Sequence, residues 1–339
     1  MINHDQDLTA VMTNAIEEEL LKACTIAQKP GLKEMVSMLA YHMGWEGEGA
    51  GPNARGKRLR PQLVLLTAIA AGGDWSKALP AAAAVELIHN FSLVHDDIQD
   101  QSPLRRGRLT VWQLWGSAQA INVGDALFSL ALLALNRLNE TVSLQVTMEA
   151  HQFLQETCLR LTQGQYLDMA YQERADLTME DYWLMVEGKT AALFSACTYL
   201  GALTAGASQS ILENYRLFGH YLGLAFQVQD DLLGIWGNSV LTGKSTESDL
   251  LTRKKSLPVL YGLTQRGAFH QRWFQGPIIS SEITSTASML ETEGALAYTQ
   301  EMVKSLAGKA LLALREAKPT IEGGDFLIGI VKQLSNRQS

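Results

Sequence analysis

The sequence predicts an all-α protein, and three observations support that prediction. Between Pro103 and Pro258 the chain contains no proline, the residue that most strongly interrupts a helix. This stretch is rich in alanine and leucine, which have high helix propensity. No run of alternating apolar and polar residues bounded by turn signals predicts a strand, and no 20–50-residue repeat is present. With 339 residues, 47% of them apolar, the chain can build one large domain or two medium ones.

The first third of the chain predicts four helices in order. Residues 8–28 form an amphipathic pattern, and a break near Pro30 separates them from a second helix that ends near residue 43. Gly47–Asn53 is a glycine-rich loop. Pro61 and Pro80 each open a further helix, because the fixed φ angle of proline suits the first helical turn.

The remaining elements are predicted from apolar runs. An apolar helix covers about residues 119–138, and its most apolar part, 126–135, is too short to span a bilayer. We therefore expect a buried helix and no transmembrane segment. Residues 259–339 predict loops and about three helices, with breaks near 262–285 and 322–325. This tail carries no chemical motif.

Composition narrows the class of function. The net charge of −7 and the pI near 5.6 argue against a nucleic-acid partner, whose binding surface is basic. Three short stretches nevertheless hold ten of the 28 Lys and Arg residues: Arg55–Arg60, Arg105–Arg108 and Arg253–Lys255. Such concentration predicts an anionic ligand. The three cysteines form no CxxC pair and the N-terminus is polar and acidic, which predicts a reduced, cytoplasmic protein without a signal peptide.

A cluster of three aspartates precedes two arginines near residue 100. Asp96 and Asp100 are four residues apart, so they share one face of a helix and would repel each other. A Mg²⁺ ion between them would remove that repulsion, and Mg²⁺ is commonly held by one or two carboxylates together with substrate phosphates. Arg105 and Arg106 offer the forked geometry that suits phosphate oxygens. Taken alone, such a pair more often marks a solvated helix end.

A second aspartate pair strengthens the metal hypothesis. Asp230 and Asp231 also end an apolar helical run, and Lys244 and Lys254 follow them. Two acidic pairs, each followed by cations, would suit a diphosphate that is bridged by several Mg²⁺ ions and clamped by Lys and Arg side chains.

On these motifs the chain resembles the trans-isoprenyl diphosphate synthases, also called polyprenyl synthetases, from about residue 50 to about 265. Five segments match the family's motifs in the expected order: Gly56–Pro61 (GKRxRP), Asp96–Asp100 (DDxxD), Arg105–Gly107, Gly188–Thr190 (GKT) and Gln227–Asp231. The resemblance implies an isoprenoid synthase helical bundle around a central cavity. It further implies one domain over 1–339, with N-terminal helices 1–45, a catalytic core 50–265 and C-terminal helices 266–339, and a homodimer.

The resemblance also implies the reaction and its residues. The reaction is the Mg²⁺-dependent head-to-tail condensation of isopentenyl diphosphate with an allylic diphosphate, with three Mg²⁺ ions in the loaded site. The implied metal ligands are Asp96, Asp97, Asp100, Asp230 and Asp231, with help from Asp168. The implied substrate contacts are Lys57, Arg60, His89, Arg105, Arg106, Lys189, Thr190, Gln227, Lys244 and Lys254. The implied participants in the chemical step are Asp96, Asp100, Arg105, Lys189, Thr190, Gln227 and Asp230.

Product length is assigned to residues just upstream of the first motif. Phe91 is aromatic and lies five residues before Asp96, whereas its neighbour Ser92 is small. In the family, this combination resembles geranylgeranyl diphosphate synthases with a C20 product, and C15 and C25 products remain open. One departure affects the metal site: Gly234 stands where many relatives carry a third aspartate.

Three rival functions were weighed against the synthase. A terpene cyclase on the same scaffold lacks the GKRxRP segment and carries a different second metal motif, which Asp230 to Asn238 does not supply. A non-catalytic partner subunit tends to lose the aspartates of the first motif, and all three are present here. A Mg²⁺-dependent diphosphate hydrolase would not need two separate basic clusters. The sequence therefore favours the synthase.

Overall fold

The computed structural model describes residues 2–237 and 249–335, with side chains from residue 8 onward, and the all-α prediction is confirmed. The first helices are α1 (Ile2–Thr25), α2 (Lys33–His42), α3 (Pro52–Arg55), α4 (Leu59–Ala70), α5 (Leu79–Gln99), α6 (Val111–Asn136) and α7 (Leu144–Tyr171). The later ones are α8 (Met179–Val186), α9 (Ala192–Thr204), α10 (Gln209–Trp236), α11 (Leu257–Gln265), α12 (Ala268–Phe274), α13 (Ile283–Thr292), α14 (Ala295–Glu316) and α15 (Ile321–Ser335).

The tail of the chain is more helical than the sequence predicts. About three helices were expected after residue 258, whereas the described part of this region contains most of α11 and all of α12 to α15. The expected break at 322–325 is wrong, because Gly323 and Gly324 lie inside α15. A Cβ atom on Gly323 would lie 2.4 Å from the Ala70 backbone. Glycine is needed there for close helix packing and does not end the helix.

Within its described part, the chain forms two compact units. The first consists of Met1–Glu156, Ala196–Tyr215 and Ala317–Leu327, and the second of Thr157–Ser195, Arg216–Glu316 and Ile328–Ser339. In the first unit, α5 packs on α6 with the alanines 81–84 fully buried. In the second, an apolar cluster is built around Val259, Phe269 and Leu290. That residues 1–339 act as one domain with the three predicted parts stays a prediction.

Helix α6 is longer than the expected helix over 119–138. It bends at Gly116, whose φ of 79° is not helical. Together with the following 3₁₀ turn it spans Val111–Glu140, long and apolar enough to cross a membrane by length and composition alone, as core helices of soluble proteins also can be. Only 44% of its most apolar 18-residue window is buried within the protein. Leu114, Ile121 and Leu133 are exposed on it.

A two-residue hairpin, which the sequence did not predict, presents the arginine pair. Strands β1 (Leu104–Arg105) and β2 (Arg108–Leu109) are antiparallel. The loop between them is Arg106–Gly107, with φ angles of 53° and 76°. Positive φ at both positions is the geometry of a type I′ turn, which matches the twist of paired strands. The turn therefore fixes the directions in which Arg105 and Arg106 leave the backbone.

The middle arginine of the Gly56–Pro61 segment belongs to the core of the first unit. Arg58 is 4% exposed, and its guanidinium donates to Glu17 at 2.7 Å, to Glu86 at 2.8 Å and to the Met43 carbonyl at 3.2 Å. Glu86 is 2% exposed and also accepts from Asn90 at 3.0 Å. Burial lowers the pKa of Arg58, but the two glutamates outweigh it, so the net shift is upward. Arg58 holds α1, α5 and the end of α2 together.

Replacing Arg58 by methionine should strongly destabilise the first unit. The Arg58→Met change leaves the buried carboxylate of Glu86 without its cation, which costs about 3–5 kcal/mol for a buried pair. The free energy of unfolding, measured in urea, should fall by that amount. Arg315→Met on the exposed surface of α14 serves as the control and should change it by less than about 0.5 kcal/mol. Equal effects of the two changes would contradict the structural role of Arg58.

Candidate active site

The three aspartates of the first motif do not share one environment. Asp96 and Asp100 lie at the C-terminal end of α5, partly or fully exposed, whereas Asp97 is 2% exposed. Arg105 donates to Asp97 at 2.7 Å and approaches Asp96 at 3.5 Å. Burial raises the pKa of Asp97, and the Arg105 guanidinium opposes that rise. Asp96 and Asp100 are thus the accessible members of the motif, and Asp97 orients Arg105.

Next to this motif, the first unit gathers a group of cationic and imidazole side chains. The guanidinium of Arg60 lies 3.2 Å from Nε2 of His89 on α5. The guanidinium of Arg106 donates to the Ala54 carbonyl at 2.8 Å. A Cβ atom on Gly56, whose φ is +74°, would lie 2.6 Å from the guanidinium carbon of Arg106, so the glycine provides the space for that arginine. The structure therefore brings three predicted diphosphate contacts together, with Lys57 exposed nearby.

His42 is a further member of this group that the sequence did not reveal. Burial, followed by the charges of Arg105 and Arg106, lowers its pKa to about 3. Burial and the charges of Arg60 and Arg106 likewise hold the pKa of His89 well below its usual range. Both imidazoles are therefore neutral at pH 7. His42 lies on the short helix α2, far from any motif in sequence, and no local pattern distinguishes it from other histidines.

In the second unit, an irregular helical segment displays Lys189 and Thr190. Residues Glu187–Ala191 form a π-helical turn between α8 and α9, a feature that is common at functional sites. A Cβ atom on Gly164 would lie 2.0 Å from the backbone nitrogen of Lys189. Helix α7 therefore touches the π turn at the level of the backbone. Four residues along α7, Asp168 accepts a hydrogen bond from Lys189 at 2.5 Å.

A chain of hydrogen bonds connects Thr190 with the second aspartate pair. The Thr190 hydroxyl donates to the Gln227 carbonyl oxygen at 2.7 Å, and the Gln227 amide donates to Asp231 at 2.9 Å. Asp231 is 1% exposed and also accepts from the Tyr182 hydroxyl at 2.7 Å and from the Leu257 backbone at 3.0 Å. The buried Asp231 thereby fixes the orientation of Gln227, whereas its neighbour Asp230 is partly exposed.

The three consecutive cations after α10 have three different environments. Lys254 lies 3.7 Å from Asp231. Burial lowers its pKa, but Asp249, Asp231, Asp230 and Asp168 raise it further. Arg253 donates to the carbonyls of Trp273 and Gly276 and lies over the Trp273 ring. Lys255 donates to three carbonyls at and beyond the end of α7. Of the three, Lys254 is the one that faces carboxylates.

Two findings concern the predicted metal centre. Lys244, a predicted diphosphate contact, lies outside the described residues, as does Asn238. Over 2–237 and 249–335, no three His, Cys, Asp or Glu side chains converge to hold a metal ion by themselves. Mg²⁺ seldom needs such a cage, because it keeps several waters and uses one or two carboxylates together with substrate phosphates. The hard oxygen donors Asp96, Asp100 and Asp230 fit that mode of binding.

Comparison with known proteins identifies the family. The sequence model described as Polyprenyl synthetase matches residues 51–285. The chain belongs to the polyprenyl synthetase family. The match covers the aspartate motifs, the GKRxRP segment and the π turn, so both the predicted family and the predicted prenyltransferase class are confirmed.

Individual relatives extend this synthetase match over most of the chain. A (2E,6E)-farnesyl diphosphate synthase of Mycobacterium bovis is 39% identical over 301 residues, 87% of this chain and 80% of the relative. A geranylgeranyl diphosphate synthase of Mycobacterium tuberculosis is also 39% identical, over 84% of this chain and 82% of the relative. The crystal structure of a geranylgeranyl pyrophosphate synthetase from Pyrococcus horikoshii Ot3 superimposes with a TM-score of 0.88 and 29% identity, covering 98% of this chain and 99% of the other.

The neutral state of His42 predicts a loss of stability in acid. The unfolded chain binds a proton to this histidine below its ordinary pKa of 6.5, but the folded protein does so only near 3. Stability therefore falls as the pH decreases from 6.5 towards 3, and at pH 5 one such group costs about 2 kcal/mol.

The His42→Gln variant isolates this effect. Urea unfolding at pH 7.5 and at pH 5 should show a decrease in the free energy of unfolding that is about 2 kcal/mol smaller in the variant than in the wild type. The comparison of each protein with itself at pH 7.5 corrects for any packing change. Identical decreases in the two proteins would show that His42 is charged in the fold.

Proposed function

We propose that this protein is a Mg²⁺-dependent synthase that condenses isopentenyl diphosphate head-to-tail with an allylic diphosphate to give a short-chain all-trans prenyl diphosphate, namely geranylgeranyl diphosphate. The observation that carries the proposal is the pairing of accessible carboxylates with phosphate-type cations in each compact unit. Asp96 lies beside Arg105 in the first, and Asp230 and Lys254 belong to the same charged cluster in the second. The family membership and the named relatives support the same reaction.

The allylic diphosphate would be activated by charge. Asp96, Asp100 and Asp230 are the residues that would hold Mg²⁺, three ions in the loaded site, with Asp97 and Asp231 behind them. Bound Mg²⁺ supplies positive charge to the leaving diphosphate. Arg105, Lys189 and Lys254, and Lys244 by analogy, would neutralise the remaining charge. Because these cations are fixed by carboxylates before substrate binds, little reorganisation is needed as charge develops.

Isopentenyl diphosphate would be held by the cationic group of the first unit. Arg60, Arg106 and the exposed Lys57 supply positive charge, and the neutral His89 can donate a hydrogen bond to a phosphate oxygen. Holding the diphosphate end fixes the position of the double bond that attacks the allylic carbon, and such orientation contributes strongly to rate.

The residues around Thr190 suit the stabilisation of a developing carbocation. The Thr190 hydroxyl donates its proton to Gln227, so its oxygen lone pairs are available to a positively charged carbon. The bond from Gln227 to Asp231 keeps the amide from rotating. The departing diphosphate is the base for the final proton loss, since no histidine or glutamate has been assigned that role.

Phe91 is the residue on which the proposed C20 length depends. Its ring packs edge-to-face against His95 at 4.9 Å and against Phe128 at 5.2 Å between ring centroids. These contacts immobilise the ring upstream of Asp96, where it would form the floor beneath the growing chain next to the small Ser92. Relatives named for C15 and C20 products are equally similar to this chain, so farnesyl and C25 products are the alternatives.

A second copy of the chain is the proposed partner. Leu114, Ile121 and Leu133 leave an exposed apolar stripe along α6, and burial of such a stripe against its own copy would give a homodimer. We also propose a cytoplasmic location, because all three cysteines, Cys24, Cys158 and Cys197, are buried and unpaired.

The Asp96→Asn variant tests the catalytic assignment. Removal of this carboxylate should lower the rate of prenyl transfer by at least about a hundredfold, because the charge that binds Mg²⁺ is lost, while the thermal midpoint stays near that of the wild type. The assay is release of diphosphate with geranyl and isopentenyl diphosphates. Asp325→Asn on the exposed surface of α15 is the matched control and should retain full activity. A near-normal rate for Asp96→Asn would refute the metal-site assignment.

The Phe91→Ala variant tests the product-length assignment. Loss of the ring removes the proposed floor and should shift the main product from C20 to C25 or longer at a similar total rate. Products are extracted after phosphatase treatment and identified by mass spectrometry. Phe274→Ala on the exposed end of α12 is the control and should leave product length unchanged. An unaltered C20 product from Phe91→Ala would exclude the ring as the floor.

A further inference from the structure

The space next to Gly234 is filled by a carboxylate from another segment. Gly234 lies on α10, four residues after Asp230 and therefore on the same helix face. A Cβ atom built on Gly234 would lie 2.4 Å from Oδ2 and 2.6 Å from Cγ of Asp249. The backbone nitrogen of Asp249 donates to the Gly234 carbonyl at 3.1 Å. The carboxylate of Asp249 thus occupies the volume that any side chain at position 234 would need.

The same segment binds Asp249 to the charges of the second unit. The backbone nitrogen of Lys254 donates to the Asp249 carbonyl at 2.9 Å. Among the charges that raise the pKa of Lys254, that of Asp249 is the largest, ahead of Asp231 and Asp230. A turn over residues 249–254 therefore places one carboxylate and one ammonium group next to the acidic end of α10.

We infer that Asp249 provides the third carboxylate of the second aspartate motif, in the place where Gly234 provides none. The motif is incomplete along the chain but complete in space, and glycine at position 234 is the condition for it. The ligand is Mg²⁺ carried by a diphosphate, which Asp249 binds together with Asp230. This inference rests on the proposed function, because it assigns a further metal-binding residue to the same site.

A purely structural role for Asp249 is the competing explanation. In that case Asp249 would only neutralise Lys254, and its charge would be needed at its own position alone. The two explanations differ in one respect. If the carboxylate serves the metal, it should be transferable to position 234, four residues from Asp230, once Asp249 no longer fills the space. If it serves only Lys254 and the turn, transfer should not restore binding.

The test is binding of Mg²⁺ with inorganic pyrophosphate to the full-length protein, measured by titration calorimetry. The variants are Asp249→Asn, Asp249→Gly, Gly234→Asp and the double variant G234D/D249G, with Asp325→Asn as the control. Asp249→Asn and Asp249→Gly should each weaken Mg²⁺-dependent pyrophosphate binding by about tenfold or more. Gly234→Asp should also weaken it, because the new side chain collides with Asp249 and repels it. The double variant should recover affinity to within about threefold of the wild type.

Two outcomes would overturn the inference. Unchanged affinity in Asp249→Asn would show that the carboxylate does not serve the metal. Weak binding in both Asp249→Gly and the double variant would show that the carboxylate acts only from position 249. Circular dichroism melting of each variant identifies any that fails to fold, and the nearly isosteric Asp249→Asn then remains as the deciding measurement.

Failure of this inference and failure of the proposed function give different results. Pyrophosphate binding requires no prenyl transfer. A wild-type protein that binds Mg²⁺ and pyrophosphate through Asp249 but forms no prenyl product would retain the inference and exclude the synthase. A wild-type protein that forms product while Asp249→Asn binds normally would retain the synthase and exclude the inference.

Discussion

The structure depends on one electrostatic constraint, which is that carboxylates placed close together must be accompanied by cations. Asp97 lies against Arg105, Asp168 against Lys189, and Asp231 near Lys254. Without these partners, the partly buried aspartates would repel one another or take up protons. Each cation comes from a different segment of the chain, so the positions of those segments are tied to the acidic ends of the helices.

Unusual backbone geometry puts these cations in position. Arg106 has a positive φ in the tight hairpin that also carries Arg105, Lys189 lies in a π turn, and Arg253 has a positive φ immediately before Lys254. Regular helix would direct consecutive side chains about 100° apart. At residues 253–255 the three side chains instead bind two sets of carbonyls and one group of carboxylates. The irregular segments are therefore where charge is delivered to the site.

Much of the fold and part of the site follow from sequence alone. Proline spacing and alanine content predict the helices, and the i, i+4 spacing of Asp96 and Asp100 predicts which carboxylates are accessible. The sequence did not reveal Asp249 or His42, because each belongs to its cluster only through tertiary packing. The Gly323–Gly324 pair was mistaken for a break for the same reason: its purpose is close contact with Ala70, which no local pattern encodes.

The central claim is that the charged groups of this chain join two diphosphate substrates into a longer linear one. The most direct measurement is incubation of the purified protein with Mg²⁺, isopentenyl diphosphate and, in turn, dimethylallyl, geranyl and farnesyl diphosphate, followed by gas chromatography and mass spectrometry of organic extracts. The account predicts a linear C20 alcohol that appears only after phosphatase treatment and only with Mg²⁺. Hydrocarbon without phosphatase would indicate a cyclase, and absence of any product would indicate a partner subunit; either result would contradict the account.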